Sequence, residues 1–228
     1  MYSRSKVALL GLAVVLCVAV TMPARCEAPQ HKAPMTSAEA LNRLKAGNQR
    51  FVDGKPAPKD FVAQRTTLVK GQHPYAIVLG CADSRVSPTV VFDESLGQVF
   101  EVRVAGGIAE DQVDASIEYA ADHLNVPLVV VLGHDSCGVV RAALSGTVPE
   151  SIHLRNLVAH IEPALKRARK LQGEARVAVA VEDLVRLQIR ELVLESKVLS
   201  RLVKEGKVRV VGAIYHLDSG KVEFLSPP

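Results

Sequence analysis

The chain has 228 residues, enough for one ordinary domain plus a targeting segment, since single cores usually stop growing near 250 to 300 residues. Apolar residues make up 48% of it but aromatics only 4%, with no Trp, so the core is expected to be built from Val, Leu, Ile and Ala. The formal net charge of +4 falls to about +1 once Arg4, Lys6 and Arg25 are set aside with a leader, and that balance argues against nucleic-acid or membrane-surface binding.

Arg4 and Lys6 precede an unbroken apolar run from Val7 to Val20, with small residues around Ala24 to Ala28, the pattern of a secretory signal. The run is shorter than the roughly 20 residues that span a bilayer comfortably, so cleavage is expected in preference to anchoring. Residues 1–26 are therefore read as a signal peptide, 27–35 as a polar linker and 36–228 as one domain. That reading places the mature protein in the periplasm or outside the cell, with no stable membrane span.

Thr36 and Glu39 have capping-box spacing, and Ala40, Leu41, Leu44 and Phe51 form a helical stripe ending near Gly54. A second short helix is expected over 61–70. From there strands and helices alternate, which predicts parallel crossover units. Residues 75–80 (YAIVLG) and 99–104 (VFEVRV) read as strands, 113–124 as a helix, and 127–132 (PLVVVL) as a strand covered on both faces. Helices are expected over 152–171 and 177–204, followed by strands at 207–215 and 222–225 around Asp218-Ser219-Gly220. The fold class is α/β.

Cys81 and Cys137 are the two cysteines outside the leader region, and such a pair in an exported chain ordinarily suggests a disulfide. Their company points elsewhere. Cys81 follows one predicted strand, while His134 and Cys137 follow another, so all three are expected at the edge where open α/β sheets place their ligands. His134 and Cys137 are three apart, a spacing that a tight turn can direct at one metal. Two thiolates and an imidazole suit zinc, one ion per chain, and leave a tetrahedral ion one open position for water. Water bound there can lose its proton near neutral pH and become a hydroxide nucleophile. Asp83 is placed to accept the proton of that hydroxide, and Arg85 to keep the carboxylate ionised.

Cys81-Ala82-Asp83-Ser84-Arg85 and Gly133-His134-Asp135-Ser136-Cys137-Gly138 resemble the two signatures of the beta-class carbonic anhydrases, and the likeness extends over most of residues 36–225. The resemblance implies reversible hydration of carbon dioxide to bicarbonate, with Asp83 and Arg85 as catalytic dyad. It implies a four-stranded, mainly parallel sheet with an added antiparallel strand and flanking helices, assembled as a homodimer or higher homo-oligomer. Gln72, Phe100, Tyr119 and Gly138 match residues around the substrate cleft in the plant-like branch. Val78 stands where the bicarbonate-controlled branch has a Trp, so no such switch is expected, although Arg103 matches the arginine of either branch.

Two departures stand out. Gly107 lies where the family commonly has an amide side chain, and Asp135 replaces the more usual Ser or Thr after the metal histidine. Two other functions fit the same residues: hydrolysis of carbonyl sulfide or carbon disulfide, and catalytically silent zinc binding. His73, His123, His153, His160 and His216 lack comparable context and are read as surface or structural. Lys166 to Lys170 reads as a solvated helix end, and no phosphate-loop motif accompanies Gly106-Gly107.

Overall fold

A computed structural model describes residues 35–147 and 149–226. The expected signal peptide, and all of the expected linker except Met35, lie outside them. In chain order the elements are α1 (Ser37–Val52), α2 (Phe61–Thr67), β1 (Ala76–Cys81), α3 (Pro88–Val91), β2 (Val99–Val104), α4 (Asp111–Glu118), β3 (Leu128–His134), α5 (Gly138–Ser145), α6 (Ile152–Ile161), α7 (Leu165–Ala168), α8 (Gly173–Glu195), α9 (Lys197–Lys204), β4 (Arg209–Tyr215) and β5 (Val222–Phe224). Among the described residues no helix is long and apolar enough to cross a membrane.

The five strands form one sheet in the order β2-β1-β3-β4-β5. The first four are parallel and β5 is antiparallel to β4, as expected from the sequence. Side chains on β1 alternate between two cores. Ile77 and Leu79 pack with Ile117, Val129, Val131 and Leu192, while Val78 packs with Leu41, Leu44, Val130 and Leu132. Burial on both faces explains why β1 and β3 read as continuous aliphatic runs.

Several boundaries differ from expectation, each for a local reason. β3 continues through Gly133 to His134, and β1 through Cys81, so both residues end their strands instead of following them. The helix expected over 152–171 breaks into α6 and α7 at a 3-10 turn containing Pro163, whose ring cannot occupy a regular helix interior. The helix expected over 177–204 starts earlier, at Gly173, and breaks at Ser196. There the backbone is extended (ψ 109°), and the buried hydroxyl accepts the Leu199 N–H at 2.9 Å, so one serine ends α8 and caps α9. At α1 the capping box forms as its spacing predicts.

One half-buried carboxyl opposes stability. Asp114 Oδ1, in α4, is buried with no hydrogen-bond partner. Burial first, and then Glu195, Glu118, Asp111 and Glu191, push its pKa up to about 6 from an ordinary 3.8. Between those values the folded chain retains a proton that the unfolded chain has released, so stability falls as pH rises through this window. Asp114→Asn is therefore expected to melt higher than wild type at pH 7.5 and to converge with it below pH 4, measured by thermal denaturation across that range.

Candidate metal centre

Parallel strands β1 and β3 are neighbours, yet the chain leaves β1 toward β2 on one side and β3 toward β4 on the other. Between them lies the point where crossovers diverge and a crevice opens at the carboxyl edge of the sheet. Cys81 ends β1 there, and Gly80 pairs with Leu132, which sets Cys81 level with Gly133 and beside His134. Gly133 admits α8 onto the sheet: an added Cβ would lie 2.7 Å from Val185 Cγ2 and 3.0 Å from Val181 Cγ1.

Cys137 returns to the same place through a strained turn. Ser136 has a left-handed backbone (φ 54°), and Cys137 then stands at the N-cap of α5. A non-glycine residue in this conformation costs about 1–2 kcal/mol. Fully burying one aliphatic side chain such as Val129 or Val130 contributes about 1.5–3 kcal/mol, so the packing of β3 outweighs the turn it carries.

The two sulfurs and one imidazole nitrogen lie within 4.8 Å of one another, and all three residues are buried. Both cysteines are free thiols. Hydrogen bonding from Cys137, aided by the backbone N–H groups of Asp83 and Gly106, outweighs burial and draws the Cys81 thiol well below its ordinary value. Cys137 moves the opposite way because it donates to Cys81. Only one sulfur of such a pair ionises readily unless a cation joins them.

His134 supplies the most direct test of fit. Its Nδ1 lies 2.8 Å from the Asp135 carbonyl oxygen, an acceptor that fixes the proton on Nδ1. The Nε2 lone pair then faces the sulfurs, and this atom is buried without a hydrogen-bond partner. An orphaned imidazole nitrogen beside two thiols is the donor set that zinc takes.

Asp83 is next to this cluster, its Oδ2 3.9 Å from His134 Nε2. Arg85 engages both carboxylate oxygens, through Nε at 2.9 Å and Nη2 at 2.7 Å, and adds its backbone N–H at 3.0 Å. That hydrogen bonding holds the Asp83 carboxyl well below the usual carboxylate range. Arg103 reaches across from β2 and latches the loop, donating to the carbonyl oxygens of Cys81 (3.1 Å) and Asp83 (2.6 Å). Gly106 and Gly107 follow with φ of 75° and 66°. Gly and Asn are the residues that adopt this region most readily, so glycine meets the backbone demand at 107 while omitting the amide group.

Of the remaining sequence-derived positions, Gly138 is adjacent to Cys137 at the start of α5. Gln72, Phe100 and Tyr119 are not brought to the cluster within the chain. Phe100 pairs with Ile77, four positions before the pairing of Val104 with Cys81, about 13 Å back along the strand. Tyr119 is exposed and packs on Phe100, ring centroids 6.4 Å apart, and Gln72 is exposed before β1 begins. Asp135 turns its carboxylate away to His216, 3.0 Å from Nδ1, so His216, just past β4, is tied to the loop that follows His134. Gln188, buried on α8, borders the same small cavity as Cys81, His134 and Cys137. Its signal in the sequence is a polar residue midway between Leu184 and Leu192 on an otherwise apolar stripe.

A carbonic anhydrase family model matches residues 76–222. Carbonic anhydrase 2 of Mycobacterium tuberculosis is 42% identical over 187 residues, covering 80% of this chain and 89% of that protein. The beta-carbonic anhydrase CcaA superposes with a TM-score of 0.66 at 26% identity, over 82% of this chain and 92% of that one. Tetrameric beta-carbonic anhydrases of Sordaria macrospora share the fold, with a TM-score of 0.67 at 23% identity over 83% and 95% of the respective chains.

Cys81→Ser is expected to weaken zinc binding by more than the roughly hundredfold typical of losing an outer-shell partner. Metal analysis after dialysis, with circular dichroism as the check on folding, reads this directly. Wild-type zinc retention by the variant would remove Cys81 from the centre.

Proposed function

Because the chain belongs to the family of beta-class carbonic anhydrases, we propose that it catalyses reversible hydration of carbon dioxide to bicarbonate at a zinc ion held by Cys81, His134 and Cys137. The observation that carries this reading is the orphaned His134 Nε2 facing two free thiols, with the Asp83–Arg85 pair beside them. Three protein donors leave one position for water, and zinc lowers the pKa of such water toward neutrality while acting as a Lewis acid.

The protein's own groups then do the orienting. Asp83 is the ionised acceptor, since Arg85 lowers its proton affinity, and it would accept a hydrogen bond from a water held at the cluster and so orient that water toward the substrate. Arg85 stays charged and holds the carboxylate in one plane through two parallel hydrogen bonds. Arg103 fixes the carbonyl groups of Cys81 and Asp83, so that ligand and orienting carboxylate move as one unit.

Phe100, Tyr119 and Gln72 serve a cleft only if a second copy of the chain brings them to it, since within one chain they lie toward the opposite end of β1 and β2. Assembly as a homo-oligomer is therefore part of the proposal. The tetrameric state named for the Sordaria proteins supports it.

Asp83→Ala is expected to retain zinc while stopped-flow hydration of carbon dioxide falls about 10²-fold or more, the scale of a positioned acid or base. Wild-type turnover in that variant would remove Asp83 from the mechanism. Hydrolysis of carbonyl sulfide without hydration of carbon dioxide would replace the proposed substrate.

A further inference from the structure

Gln188 is 1% exposed and sits between the buried Leu184 and Leu192 on one face of α8. An amide in such a stripe is destabilising unless its polar atoms are bonded. Here its Oε1 accepts the Ala109 N–H at 2.5 Å, and its Nε2 donates to Glu191 Oε2 at 2.9 Å. Ala109 closes the segment that begins with the two left-handed glycines, and Ile108 between them is buried. At the start of that turn the Gly106 N–H points at Cys81 Sγ, 3.4 Å away. Gly107 lies against the strand, where an added Cβ would come within 3.4 Å of the Gly80 carbonyl carbon.

The turn thus opens on an N–H aimed at a sulfur, rests on β1 at Gly107, and hangs from Gln188 at its far end, Ala109. We propose that Gln188 is a positioning residue: by anchoring Ala109 it holds the Gly106 N–H on Cys81 and so sets how much electron density that sulfur gives to the metal. This rests on the metal-centre reading above. An N–H bonded to a thiolate withdraws charge from it, and the groups behind a ligand tune a metal as the ligand itself does. A glutamine acting only as core filler would affect stability and leave the sulfur unchanged.

Cobalt substitution reads the sulfur independently of turnover, through sulfur-to-cobalt charge-transfer absorption. Gln188→Leu keeps the apolar volume but removes the acceptor for Ala109. It is expected to shift this band to longer wavelength and to weaken zinc binding about tenfold in chelator competition. Gln188→Glu combined with Glu191→Gln restores an acceptor at 188 and a donor at 191, and is expected to return both readouts toward wild type.

A folded Gln188→Leu protein with an unchanged band and zinc affinity would overturn the inference, as would a double variant no closer to wild type. Failure of both Gln188→Leu and the milder Gln188→Asn to fold would make the residue a packing element and overturn it too. Wild-type protein lacking any such band would instead sink the metal-centre reading, so the two failures are distinguishable.

Discussion

Two buried sulfurs and an unpartnered imidazole nitrogen, all within 4.8 Å, are an electrostatic burden unless a cation lies among them. Two thiolates repel, and one proton shared between Cys81 and Cys137 satisfies only one of them. His134 cannot relieve the strain by reaching elsewhere, because its Nδ1 is committed to the Asp135 carbonyl and its ring is 1% exposed. The surrounding structure holds these three groups together as a donor set that a metal ion would neutralise.

The sheet does most of that holding. Placing the donors on β1 and β3, at the divergence of the crossovers, converts a separation of 53 positions between Cys81 and His134 into adjacency. Rigid aliphatic strands set two of the three donor residues, while the third depends on one left-handed serine. Orientation of Asp83 is similarly over-determined, with Arg85 on its carboxylate and Arg103 on its carbonyl. Loss of either arginine leaves the other still attached to the same residue.

Much of this was legible in the amino-acid order. β1 and β3 are unbroken aliphatic runs because both faces are covered, and the capping box at Thr36 and Glu39 forms as its spacing demands. The clustering of Cys81, His134 and Cys137 follows from where each stands relative to a strand end. Features set by tertiary packing were harder to read. Helical periodicity continues across Ser196, whereas in the fold its buried hydroxyl caps α9 and donates to Glu118 of α4, a partner 78 positions away. Gln188 is a polar residue in an apolar stripe, and its hydrogen bond from Ala109, 79 positions away, exists only in the folded chain. Phe100 and Tyr119 match cleft residues in type, yet within one chain they lie away from the cluster, because a match in residue type does not fix position along a strand.

The most direct measurement is zinc K-edge X-ray absorption on the purified protein. The arrangement of donors predicts four-coordinate zinc with two sulfur scatterers at about 2.3 Å and two nitrogen or oxygen scatterers at about 2.0–2.1 Å. A shell of oxygen and nitrogen alone, a third sulfur, or metal-free protein with residues 81 and 137 joined as a disulfide would contradict it.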